Sequence, residues 1–438
     1  MKPTDALPHP HDWSTGIVGR AIEIKRGVSW SKDQEHSERY DGAVPVIGIS
    51  NVQDRLELDK LIYLSGLKPK TIEQKRVEKG WSVMVGSNGN RQRIGNAVCV
   101  SEDAEFLFAS FLIAAKPRAD SGITPEFFYR WLRTEQVQAY LSASAEGSTG
   151  LSNLSHSFFR AMAIAFPEAD EQAAIARVLD AADAAIERAR EASKEAERVK
   201  QALVQKLFCE GTRKEAQKKT AIGLIPKSWD VKPVNSVVTT FEYGLSLPMH
   251  LKGATPILRM GNIQRGDIVM DDLKYVTLPP KLLDRYLLKR GDVLFNRTNS
   301  QEHVGKIGIY RSDAPAVFAS YLIRLHPDPA QVDSYYLGQL LSAYPSQCRI
   351  KRYATPGVQQ VNINAKNLGR VFIPVPVGEA GLDEQREIAA LLEQADERIL
   401  SYDPVITALE QIKKSLMHDL LTGTVRVDPA LFEEEQQS

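Results

Sequence analysis

Four short stretches of this chain combine side chains that make paired hydrogen bonds with a complete lack of carboxylates. Residues 80–101 contain GSNGNRQRIGN, and residues 147–167 read GSTGLSNLSHSFFRAMAIAFP. Further along, NRTNSQ occupies 296–301 and KRYATPGVQQVNINAKNLGR opens the acid-free run 351–378. Arg, Asn and Gln can pair with the edges of guanine and adenine, whereas Lys, Ser and Thr suit phosphate oxygens. The candidate DNA-contacting residues are therefore Asn88, Asn90, Arg91, Gln92, Arg93, Ser148, Thr149 and Asn153 in the first pair of loops. In the second pair they are Asn296, Arg297, Thr298, Asn299, Lys351, Arg352, Tyr353, Gln359, Gln360 and Asn362. Taken singly, a Gly/Asn/Ser loop can equally be a plain turn between strands. Recurrence at matching places, rich in Arg and free of acid, favours binding.

Catalytic signatures are missing from the sequence. It has no phosphate loop ending in GK[ST], no GxGxxG opening a helix after a strand, no HExxH, no GxSxG and no NPPY-like methyltransferase segment. The eight histidines are not spaced as ligands, so no metal is expected. Cys99, Cys209 and Cys348 are scattered without CxxC spacing and read as reduced, structural thiols.

The elements that must position the loops come in duplicate. DEQAAIARVLDAADAAIERA starts at 170 and DEQREIAALLEQADERI at 383, a period of 213 residues that points to a duplicated domain pair. The repeat runs through VPVIGISNVQ and TPILRMGNIQ, VEKGWSVMVGSN and LKRGDVLFNRTN, and FASFLIAAKP and FASYLIRLHP. Short Val/Ile/Phe/Leu runs between Gly, Pro and Asn predict strands, and TPEFFYRWLRTEQVQAYL predicts a helix packed on them. The fold class expected is α+β (mixed α/β): two similar globular recognition domains joined by two long helices that form an antiparallel coiled coil, a pseudo-two-fold internal repeat. Boundaries fall at 1–168 (first domain), 169–210 (first helix), 211–220 (basic linker), 221–381 (second domain), 382–424 (second helix) and 425–438 (a disordered tail).

Both helices carry apolar or small residues at alternating steps of four and three. The seam runs through Ile175, Leu179, Ile186, Leu203 and Leu207 in the first, and Ile388, Leu392, Ile399, Ile406, Leu409, Leu416 and Leu420 in the second. Lys200 and Lys413 also fall on it. Parallel pairing would oppose the two ammonium groups. Antiparallel pairing, with Ile175 opposite Leu420, sets Lys200 beside Ala395 and Lys413 beside Ala182, where each stem can cover a small residue and reach water. Alternatively each helix simply lies on its own globule. Pro404 should kink or restart the second helix near Tyr402.

Composition bounds what remains. A chain of 438 residues with 43% hydrophobic and 25% charged side chains is ordinary globular protein of several units. Its polar N-terminus is unlike a signal peptide, and no apolar run reaches the length of a membrane span, so a cytoplasmic protein with no membrane contact is expected. The net charge of zero means that any attraction to nucleic acid must be local.

With its proline-ended strand entering an EQxxI helix twice, at half-chain period, the chain resembles the specificity (S) subunit of type I restriction–modification systems. FPEADEQAAIARVLDAADAAI, VPVGEAGLDEQREIAALLEQADERI, QALVQKLF, KKSLMHDLLTGTVRV and KRGDVLFNRTNS carry the resemblance, from Trp13 to about Val427. It implies a non-catalytic reader of double-stranded DNA. Each domain would read half of a bipartite target in the major groove, and the helices would set the spacing and dock two modification (methyltransferase) subunits. S-adenosylmethionine would then belong to those partners, and ATP with Mg2+ to a restriction subunit, with no cofactor on this chain. A coiled-coil scaffold whose globules bind other proteins is the alternative from a different class.

Overall fold

The computed structural model describes residues 5–101, 105–147, 150–357 and 360–432. It divides into two compact units, Met1–Ala189 with Val405–Ser438, and Arg190–Pro404. The boundaries expected from the sequence set the helices apart from the globules. The structure instead groups each globule with one half of each long helix.

In the first unit a four-stranded antiparallel sheet runs Ile22–Arg26, Leu112–Pro117, Ser82–Val85, Ala97–Cys99. Its central strands are nearly continuous apolar runs, as strands covered on both faces must be. A second sheet orders Glu35–His36, Ile62–Leu64, Val44–Ile47 and Leu107–Phe108. In the second unit the main sheet has six strands, with Val238–Tyr243, Leu322–Pro327, Val293–Asn296 and Ile307–Ile309 in the matching order. Pro125–Leu132 and Ser334–Ser342 are the helices that cover these sheets, through Phe127, Phe128 and Trp131 in one and Tyr336, Leu337 and Leu340 in the other. The single helix expected over 124–141 is two, Pro125–Leu132 and Glu135–Ala143, because the Thr134 hydroxyl caps the second by accepting from the Val137 N–H.

The first long helix runs unbroken from Ala169 to Glu210, as 42 residues without Gly or Pro and rich in Ala should. The second is Glu379–Leu400 followed by Tyr402–Leu421. Pro404 thus sits in the first turn of a restarted helix, where a missing N–H is tolerated.

A buried glutamine fastens each helix start to its own globule. Gln172, fully buried, donates to the carbonyls of Gly122 (2.7 Å) and Pro167 (2.8 Å) and accepts from the Thr124 N–H (2.8 Å). Gln385, equally buried, donates to Gln331 (3.0 Å) and Pro376 (2.9 Å) and accepts from Asp333 (2.8 Å). Both glutamines use all their close bonds on main chain, so they report backbone position rather than side-chain identity.

Within the second unit the two helix halves meet through Leu203, Val204, Leu207 and Phe208 against Ile388, Ala389 and Leu392. Within the first, Ile175 and Leu179 share a core with Leu416, Met417, Leu420 and Leu421. Ile186 and Ile399 are buried, whereas Ile406 and Leu409 are half-buried. The lysines do not end in water. Lys200 pairs with Asp396 and Lys413 with Asp183, each one residue beyond the alanine expected. With side chains only 19% and 17% exposed, the ammonium groups lose much of their hydration and take a carboxylate instead. Gln339 also donates to Asp396 (2.7 Å), and Arg130 to Asp183, so the globule holds the same acid.

Two sequence assignments change. Part of the linker, Gln217–Thr220, pairs in a hairpin with Gly223–Pro226. Residues 425–432, expected in the disordered tail, are ordered: Val427 is buried, and Arg426 holds Glu171 (2.5 Å) and Asp12 (2.8 Å). The remaining EEEQQS lies outside the described residues.

Replacing Gln385 with Ala leaves buried main-chain groups without partners and should cost at least about 2 kcal/mol. Denaturation followed at Trp229, the only tryptophan between residues 190 and 404, measures it. A second expectation concerns acid. Burial alone would raise the Asp183 pKa, but hydrogen bonds from Lys413 and Arg130 outweigh it and hold the carboxyl below its ordinary 3.8. A lowered folded-state value means that the stabilisation is complete above the ordinary value and is lost as pH falls through the lower one. Asp183→Asn should therefore be less stable than the parent at neutral pH, with the difference shrinking below about pH 4 in denaturant titrations.

Candidate nucleic-acid interface

Each unit brings its two acid-free loops together by main-chain pairing. In the first, Ser87–Asn88 pairs antiparallel with Ser152–Asn153, and Asn153 exchanges both main-chain bonds with Glu146 (2.9 and 2.8 Å). In the second, Thr298–Asn299 pairs with Val361–Asn362, which pairs in turn with Thr355–Pro356.

The roots of the loops are braced in the same way in both units. The Phe111 carbonyl accepts from the N–H groups of Gly86 and Ser87 (2.9 and 3.0 Å), and the Tyr321 carbonyl from Arg297 (2.9 Å). At the far end, Gly95 and Gly305 both adopt φ +90°, a conformation that disfavours a side chain. Gln138 donates to the Gly95 carbonyl (2.8 Å) and to Leu132 (2.7 Å), while Gln347 donates to Gly305 (2.8 Å) and Leu341 (2.7 Å).

On this frame, Asn90, Arg91, Gln92, Asn153, Arg352 and Gln360 are exposed. Asn88, Arg93, Arg297, Asn299, Lys351, Tyr353 and Asn362 are half-buried. Ser148, Thr149 and Gln359 lie outside the described residues. Several of the expected contacts have structural work in the free chain. Asn88 accepts from the Asn90 N–H (2.8 Å) and Asn90 from Gln92 (3.0 Å), shaping the turn. Arg91 donates to the carbonyls of Ser142 and Ala143 (2.8 and 2.7 Å) at the end of the helix Glu135–Ala143, and Arg93 to that of Val52 (2.8 Å). Lys351 reaches the Glu302 carbonyl (2.9 Å).

Two assignments are corrected. Asn296 is fully buried at the end of the strand Val293–Asn296, with its amide on the His303 carbonyl (3.3 Å), so it faces the interior rather than DNA. Thr298 is buried too, and its hydroxyl donates to Asn362 across the two loops; both residues tie the loops together.

Other surface groups near the loops escape a sequence reading. Phe111 is 50% exposed between the fully buried Phe108 and Leu112, and Tyr321 occupies its place in the second copy. The sequence signal was an aromatic residue at the same register in FASFLI and FASYLI. His156 has its pKa lowered from 6.5 by burial and by its neighbours Arg26 and Arg160, which marks a local concentration of positive charge beside the first pair of loops. The thiols offer little chemistry: all three are free, and burial pushes Cys99 up to about 11. Among the described residues no group of three His, Cys, Asp or Glu is placed to hold a metal ion, and no helix is long and apolar enough to cross a membrane.

Two compact units with corresponding sheets, each presenting a paired set of acid-free loops, define a tandem recognition protein. The sequence profile of the type I restriction modification DNA specificity domain matches residues 10–198 and again 226–410. The chain therefore belongs to that family, and its function is that of a specificity subunit: recognition of DNA rather than catalysis. It is 27% identical over 439 residues to the type I restriction enzyme MjaVIII specificity subunit of Methanocaldococcus jannaschii, covering 98% of this chain and 96% of that one. The putative MjaX specificity subunit of the same organism is 32% identical, over 49% of this chain and half of its own length. The fold is that of the S subunit of a type I restriction–modification system from M. genitalium, at 16% identity, a TM-score of 0.55 and coverage of 96% and 99%. The alternative of a scaffold without DNA contact does not match these findings.

Gln347→Ala should cost roughly 1–3 kcal/mol by releasing one end of the loop 296–305. Hydrogen exchange across that loop should quicken, while the slope of log binding constant against log salt, which counts phosphate contacts, stays the same.

Proposed function

We propose that each unit reads one half of a bipartite double-stranded target in the major groove, using the exposed Asn, Arg and Gln side chains of its paired loops. The observation that supports this most is the joining of two acid-free loops by a small sheet in each copy of the repeat. An element of this kind offers base-edge hydrogen bonds from a fixed main chain, and its acid-free stretches, bordered by Glu146 and Glu302, carry no carboxylate of their own to repel phosphates. The long helices set the length of unread sequence between half-sites and dock two modification subunits. Those partners bind S-adenosylmethionine and methylate adenine, and a restriction subunit brings ATP and Mg2+. The complex works in the cytoplasm, where its DNA is. A chain of zero net charge fits such an assembly, since the partners share the work of gripping phosphates.

Substituting Asn90 and Gln92 should relax one half of the methylated motif, and substituting Asn299 and Gln360 only the other. Loss of a good bidentate base contact costs about 1–3 kcal/mol. Sequencing of methylated host DNA reads the outcome, and simultaneous change of both half-sites by either pair would contradict the assignment. Native mass spectrometry with excess partner should show two modification subunits per chain; saturation at one would refute the docking scheme.

A further inference from the structure

The two loops of the second unit converge on Arg297. Its N–H donates to the Tyr321 carbonyl (2.9 Å) and its own carbonyl accepts from Ile363 (2.9 Å), so its main chain is fixed from both sides. Its guanidinium carbon lies over the Tyr243 ring, 5.2 Å from the centroid. That ring is itself anchored, because the Tyr243 hydroxyl accepts from the Ala365 N–H (3.1 Å). The side chain has one weak acceptor among the described residues, the Ser320 carbonyl 3.4 Å from Nη1, and its Nε is buried without any. Four other arginines of this unit are paired with carboxylates: Arg324 with Glu242 and Asp292, Arg311 with Asp267 and Glu393, Arg285 with Glu242, Arg259 with Asp272. No ion pair holds Arg297 among the described residues. In the first unit the corresponding position is Gly86, whose N–H and carbonyl take the matching bonds to Phe111 and Leu154, and Arg26 stands where Tyr243 stands.

We propose that Arg297 reads a guanine in the half-site of the second unit, its fork donating to O6 and N7 while Tyr243 serves as the backing plate. The inference rests on the DNA reading of the paired loops. A planar guanidinium stacked on a fixed aromatic ring has already lost rotamer freedom, so less ordering is needed on binding, and guanine is the base edge with two acceptors that match the fork. The lack of a carboxylate leaves that charge available. Because Gly86 replaces the arginine in the first unit, this device belongs to one half-site only.

The test uses the complete methyltransferase complex and the motif found by sequencing its methylated DNA. The half-site that is insensitive to first-unit substitutions should contain a guanine at which 7-deazaguanine, which lacks N7, weakens binding by about 5- to 150-fold. Arg297→Ala should accept any base there and lose the sensitivity to 7-deazaguanine, while Tyr243→Phe, which keeps the ring, retains the guanine. The analogue experiment on the unaltered protein needs no variant to fold. A second half-site without guanine, no effect of the analogue at any guanine in it, or an Arg297→Ala complex weakened equally on every sequence, as a phosphate contact would be, each overturns the inference while leaving DNA recognition intact. A parent complex that methylates no bipartite motif would overturn the recognition scheme itself.

Discussion

One buried amide at the start of each long helix holds the rest in place. Gln172 and Gln385 bridge the last carbonyl of the strand that enters the helix and the main chain of the segment that leads into the helix covering the sheet. A single point would still allow the helix to rotate. Asp183 and Asp396 supply the second point, eleven residues or about three turns further on and so on the same face. There a group from the covering helix, Arg130 or Gln339, meets the lysine of the other long helix. Strand, covering helix and both long helices are thereby referred to common polar groups. The loop braces Gln138 and Gln347 depend on the same covering layer, since they bond its Leu132 and Leu341 carbonyls.

The placement of charge follows the same division of labour. The carboxylates of the long helices are largely spent on internal partners, Asp180 and Asp183 on Arg130, Glu171 on Arg426, Glu393 on Arg311 and Glu384 on Arg213 at 3.5 Å. The four acid-free stretches contain none, and Glu146 and Glu302 stand at their borders. A molecule of zero net charge thus separates its compensated regions from small uncompensated ones. Field strength at a binding surface depends on this separation and not on the total.

Much of the architecture was legible in the sequence because it is written twice. Unbroken Ala-rich helix, proline-ended strands and a common seam phase all survive in the structure, and the loops suspected from their composition do lie side by side in each unit. What stayed hidden depends on neighbours distant in the chain. Arg91 and Arg93 look like free DNA-binding side chains, yet they also hold the carbonyls of Ser142, Ala143 and Val52, roughly 40 to 50 positions away. Asn296 continues a fully buried strand whose end no periodicity marks. The sequence places Lys200 and Lys413 on the seam, but a shift of one position decides between water and an aspartate. Residues 425–432 look like a polar tail because their anchor, Glu171, stands 255 residues earlier.

The small sheets that join the loops are built from main-chain hydrogen bonds, and main-chain bonds are indifferent to the side chains they carry. Substitutions at Gln92 or Gln360 therefore alter what is presented without removing what presents it. Such a scaffold is highly evolvable. Single-residue drift can explore new chemical alphabets at almost no cost in foldability, and the two units can diverge independently, as the exchange of glycine for arginine between positions 86 and 297 already displays.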